Sequence, residues 1–203
     1  MYKKIGLIPL KGTGTYGFVR KSELPADPDD TFRLFPLPSS FAVTGDFKDI
    51  AKNHCCATTV TNLALLKKAK NGTAPEGSAD IRTLFQAVHH HIGNGPVLSM
   101  PPGGRKAFAD TGLVFNYAKL SPGSDPQLTS SGFARQAMDT LQGGHPLALM
   151  LADSLFQMHW VTVIGYRTFG QEFYLEIMDS WHKEPWYYRP GCGSRILTCL
   201  ALL

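Results

Sequence analysis

Two cysteines stand side by side in "KNHCCATTVTNLALLKKAK", residues 52–70, where a helical pattern begins. The thiolate is the reactive form of cysteine, and at a helix start backbone dipoles and a nearby imidazolium draw its pKa into the ~3.5–7.5 range. Cys55 and Cys56 both qualify by position, and both would equally serve as small buried hydrophobes. A cysteine nucleophile needs a base within hydrogen-bond reach and a third group holding that base, and these partners usually come from distant sequence. His159 opens the apolar run "HWVTVIGYR", and Asp179 lies at the end of "EFYLEIMDS". If the two runs pair about a turn at 168–171, positions 159 and 180 fall opposite each other. A twist, bulge or loop offset of one residue would then bring the Asp179 carboxylate beside the imidazole.

The same segments carry a resemblance. "NHCCATTVTNLALL" resembles the nucleophile helix of papain-like peptidases of the C39-like group, N-x-C-G-P-T-x-x-x-N-L, with Asn53, Cys55, Thr58, Asn62 and Leu63 matching. "HWVTVIGY" resembles the histidine strand of that group, H-W-V-x-V-x-G-Y, and "IMDSW" its acid segment, D-P-W or N-S-W. The three segments occur in the order Cys, His, Asp and cover about 55–66 and 159–181. The resemblance implies a papain-like fold with Cys55 as nucleophile, His159 as general base and Asp179 as the orienting carboxylate, Cys56 standing where glycine is usual. It implies a peptide or amide substrate, a thioester acyl-enzyme and no cofactor. In such enzymes a glutamine six residues before the nucleophile helps bind the oxyanion; here that place holds Asp49, leaving Asn53 or another amide as the donor. An ionised carboxylate at that place would repel an oxyanion, and loss of one donor costs about 100- to 1,000-fold in rate. The same fold acting as a binding module, and the same triad passing its acyl group to an amine, are the alternatives.

The elements that must position these residues are legible in part. Val60, Leu63, Ala64 and Leu66 fit a helix from Cys55 to Lys70, with Asn71-Gly72 as its stop. Its three threonines are poor helix formers, so tertiary burial must hold it. Further helices are expected over 79–92 and about 131–142, and strands over 145–152, 159–167, 172–180 and the final "SRILTCLALL". "KKIGLIPL" near the start reads as a strand followed by a glycine-rich loop. Residues 23–49 read as an irregular lead-in, and "NGPVLSMPPGGRKAF" (94–108) as a loop, either mobile beside a cleft or a passive connection. Helices first and an antiparallel sheet after them make an α+β fold, taken as one domain over 1–203.

Composition narrows the partners. The chain is 43% hydrophobic and 18% charged, enough apolar content for a packed core. Its net charge of +4 contains no long basic block, which argues against nucleic-acid binding. Lys67, Lys68 and Lys70 suit a helix C-terminus. No apolar run reaches the roughly 18 residues of a membrane span, and the apolar stretch near the start is too short for a secretory leader. Cytoplasm is therefore the default location, with export the alternative if a leader has been removed, in which case Cys192 and Cys199 become a candidate disulfide. "GTGTYGFV" (12–19) fits a kinase-type glycine loop but lacks the companion segments of a kinase. His89, His90 and His91 fan around one helix instead of converging, and His54, Cys55, Cys56 and Cys192 lack paired zinc-ligand spacing, so no metal is expected.

Overall fold

The computed structural model describes residues 16–75, 77–98, 100–121, 129–153 and 157–203. Among them are four α-helices, α1 (Cys55–Lys70), α2 (Ser78–Ile92), α3 (Met100–Asp110) and α4 (Thr129–Gln142). Eight strands accompany them: β1 (Phe18–Val19), β2 (Asp30–Arg33), β3 (Tyr117–Leu120), β4 (Leu147–Ala152), β5 (Met158–Phe169), β6 (Glu172–Met178), β7 (Trp186–Tyr188) and β8 (Arg195–Leu202). They form one antiparallel sheet in the order β1-β7-β6-β5-β4-β8-β3, with β2 joined to β5. The α+β class expected from the sequence is the one observed.

Strand alternation sends the two faces of the sheet into two cores. Ala148, Met150 and Trp160 pack with apolar residues of α1, α2 and α3. Leu149, Leu151, Val161 and Val163 face the other way, against α4 and the chain around Leu34 and Phe41. Every residue of α1 from Cys55 to Leu66 is buried, which is how a helix with three threonines is held. Two of those hydroxyls return to the helix, Thr58 Oγ1 donating to the His54 carbonyl at 3.1 Å and Thr61 Oγ1 to that of Ala57 at 2.8 Å. At the other end Lys67 donates to the Leu203 carbonyl and Lys68 to that of Thr111.

Several expectations need correcting. The loop expected at 94–108 contains α3, because Pro101 and Pro102 fall in a first turn whose N–H groups have no helical partner anyway. Its glycines serve close packing: a Cβ on Gly103 would lie 2.7 Å from Ile92 Cδ1 and 2.8 Å from the His91 carbonyl oxygen. The lead-in contains β2, held along the second half of β5. The β5–β6 turn is two residues tighter than expected, with Phe169 opposite Glu172 and Gly170 at φ 59°. A bulge between Val163 and Gly165 then shifts the register by one residue. The strand expected over "KKIGLIPL" and the glycine loop up to residue 15 lie outside the described residues.

Candidate active site

Cys55 is the first residue of α1, and its neighbour His54 is the N-cap. The His54 side chain does not cap the first turn. Its Nδ1–H donates instead to Thr58 Oγ1 at 3.1 Å, the only arrangement open once the hydroxyl proton is spent on the His54 carbonyl. The amides of Cys55 and Cys56 therefore remain free to act on the Cys55 sulfur. They do so together with the main-chain N–H of Trp160, the residue after His159, and all three favour the thiolate. Burial outweighs them and pushes the Cys55 thiol above the ordinary range. Cys56 is fully buried and its thiol is pushed up further, first by burial and then by Cys55. All four cysteines, Cys192 and Cys199 included, are free.

His159 is 3% exposed, and its Nε2–H donates to the main-chain carbonyl of Asp179 at 2.6 Å. Burial lowers its pKa to about 4, against the opposing pull of that carbonyl and, after it, of the Asp179 charge. The expected thiolate–imidazolium pair is thus replaced, in this closed site, by a neutral thiol and a neutral imidazole. Trp181 lies flat on the imidazole, ring centroids 3.9 Å apart and 15° between planes. Tyr16 and Phe18 lie beside both rings, with centroids 5.4 and 6.4 Å from that of the imidazole. Tyr16 is itself pushed up to about 12, by burial first and then by Asp153 and Cys55. Of the two flanking tryptophans, Trp160 and Trp181, it is Trp181 that stacks on His159. Trp160 points into the helical core, its Nε1–H shared between the Pro96 and Val97 carbonyls.

Asp179 is fully buried and sits one residue beyond the last paired position of β6. Its carboxylate closes a turn: Oδ1 accepts from the Trp181 and His182 main-chain N–H groups, each at 2.9 Å, and Oδ2 accepts from His182 Nδ1–H at 2.7 Å. The turn carries Ser180 into the left-handed region at φ 66°. Asp179 meets the imidazole with its main chain, not with its carboxylate as the sequence suggested. His182 went unnoticed in the sequence, where its only signal is a position three residues after the acid.

The oxyanion candidates lie outside this cluster. Asp49 is an exposed carboxylate paired to Arg82 of α2, whose hydrogen bond is the first cause holding it below the usual carboxylate range. Its charge is engaged by the Arg82 guanidinium. Asn53 is exposed, at φ 54°, and its carbonyl accepts from the Gly95 N–H. Asn62, the matching residue one helical stretch beyond Cys55, is a buried brace: Oδ1 accepts from the Ala42 N–H at 2.8 Å and Nδ2 donates to the Ala42 carbonyl at 3.1 Å. In the histidine strand, Gly165 lies against the Phe32 carbonyl of β2, where a Cβ would overlap it. Tyr166 next to it donates to Asp30 Oδ2 at 2.8 Å and accepts from Gln142 Nε2 at 2.7 Å.

The histidines of α2 have separate partners, His89 with Asn94 at 2.9 Å and His91 with Asp110 at 2.5 Å. Among the described residues no three His, Cys, Asp or Glu side chains gather as a metal site would require. No helix among them is long and apolar enough to cross a membrane. Compared with protein-family models and with curated proteins, the sequence matches none.

Proposed function

We propose that the chain is a cysteine peptidase or amide hydrolase with a papain-like fold, acting through a thioester on Cys55. One observation carries this reading. The bond from His159 Nε2–H to the Asp179 carbonyl fixes the neutral tautomer with its lone pair on Nδ1, while Cys55 is held at the N–H of the next residue, Trp160. What supports the reading is that Cys55 at the start of α1 lies at the main chain of Trp160, next to His159 on β5, and that the end of β6 supplies the His159 partner, in the chain order that the resemblance to C39-like peptidases implies.

The chemistry follows from the electrostatics. With thiol and imidazole both neutral at rest, Nδ1 takes the Cys55 proton as the sulfur attacks the substrate carbonyl. The positive ring that results is steadied by the Asp179 carbonyl and overlaid by Trp181. His159 then hands the proton to the leaving amine, and water, activated by the same Nδ1, resolves the acyl-enzyme. Amides at the start of α1 and that of Trp160, which favour charge on the sulfur, are the donors available to the developing oxyanion in place of a glutamine.

A binding module with the same fold is the second reading, favoured by the burial that keeps Cys55 protonated and His159 unprotonated. Incubation with a mixed peptide library separates the two. The hydrolase yields cleaved peptides and an acyl adduct on Cys55 by mass spectrometry, both abolished in Cys55→Ala and His159→Ala. Peptides retained intact, equally by the native protein and both variants, would establish the binding module. Diversion of acyl product to an added amine in preference to water would mark an acyltransferase.

A further inference from the structure

Resting on the thioester reading above, we propose that His182 is a positioning residue of the site: it holds the Asp179 turn so that the main-chain carbonyl stays aimed at His159. Two of the three donors to the buried Asp179 carboxylate come from His182, its main-chain N–H at 2.9 Å and its Nδ1–H at 2.7 Å. The ring is fixed from a second direction, stacked on Trp186 with centroids 4.4 Å apart and 22° between planes. His182 is thus clamped between an indole on β7 and a carboxylate whose own main chain carries the hydrogen bond to the base.

The turn needs such a clamp. Ser180, at φ 66°, occupies backbone space that non-glycine residues rarely adopt, and its buried hydroxyl has no partner, so its side chain contributes no bond to the turn. What holds the turn is the set of bonds to Asp179 and that from the Thr44 N–H to the Ser180 carbonyl at 2.7 Å. Without the His182 donor, Asp179 Oδ2 would be left buried and unpaired, a loss the carboxylate can relieve only by turning, which moves its own carbonyl. Through the Asp179 carbonyl, the His182 side chain therefore sets the direction of the imidazole.

Two substitutions test this without removing the packing. His182→Phe keeps an aromatic ring on Trp186 and deletes the donor; His182→Asn keeps a donor near the place of Nδ1. Each is labelled with ¹⁵N-histidine, and the His159 Nε2–H resonance, assigned by its loss in His159→Ala, is read alongside the rate of Cys55 alkylation by iodoacetamide. The expected result is an upfield move of that resonance and about tenfold slower alkylation in His182→Phe, with both restored in His182→Asn. Unchanged resonance and rate in His182→Phe, while His159→Ala still slows alkylation, would overturn the role of His182 and leave the thioester reading standing. If His159→Ala leaves alkylation unchanged, the Cys–His reading fails instead, and the resonance alone decides whether His182 positions the ring.

Discussion

Replacement of Asp179 distinguishes a carbonyl that orients the base from a carboxylate that does so. Asp179→Asn keeps the main-chain carbonyl and an Oδ1 able to accept the Trp181 and His182 amides. It loses the charge, which acts on His159 less than the carbonyl bond does, and turns a donor toward His182 Nδ1. The imidazole of His182 can answer by changing tautomer, so the expected cost is about 1–2 kcal/mol in stability and about tenfold in acyl-enzyme formation. Asp179→Ala removes all three accepting contacts and leaves two partly buried amides unpaired, costing about 2–4 kcal/mol and at least about 100-fold in rate as the turn relaxes.

A carboxylate touching the imidazole would give a different order, since a direct Asp-to-Asn change in a hydrolytic triad costs about 10,000-fold by stabilising the wrong tautomer. The assay is the rate of acyl adduct formation on Cys55, with urea denaturation of each variant to confirm that it is folded. An Asn variant that keeps its stability and loses more than about 1,000-fold would refute orientation through the carbonyl and return the role to the carboxylate.

Stability should fall in acid. The folded pKa of His159, about 4, lies below its unfolded value, so the unfolded chain binds the proton first; stability is complete above about pH 6.5 and is lost as pH falls toward 4, by about 3 kcal/mol. His159→Gln should flatten that limb, read as urea midpoints from pH 4 to 7 against the native chain; an unaltered limb would assign it to other groups. Iodoacetamide near neutral pH should label Cys55 well before Cys56, which is fully buried with its thiol pushed higher, and equal slow labelling followed by peptide mapping would refute an activated Cys55. Asn62→Ala strips both partners from the Ala42 main chain and should cost about 2–4 kcal/mol in thermal or urea unfolding, whereas a loss below about 0.5 kcal/mol would mean water replaces the brace.

Chemistry at element ends was more legible in the sequence than the geometry joining it. Cys55 could be placed because a helix start with a proper stop is written locally, in Cys55–Leu66 and Asn71-Gly72. Proline and glycine misled at Met100–Asp110, where the same residues that break a helix interior suit a first turn and a close approach to Ile92. β2 gave no local signal because Asp30–Arg33 is mostly exposed and owes its form to the far half of β5, which only Gly165 allows it to approach. The acid shows the same limit at the scale of one residue. Period-two alternation tells which side chains share a face, yet it stops at the end of a strand, and Asp179 lies just past that end. Beyond it the turn closes through the residue's own carboxylate, and that closure presents the carbonyl to His159. A buried carboxylate accepts donors from the nearest chain first, and here the nearest chain is Trp181 and His182. An aspartate followed directly by its own amides and a histidine is therefore as well suited to build the support of a base as to be its partner.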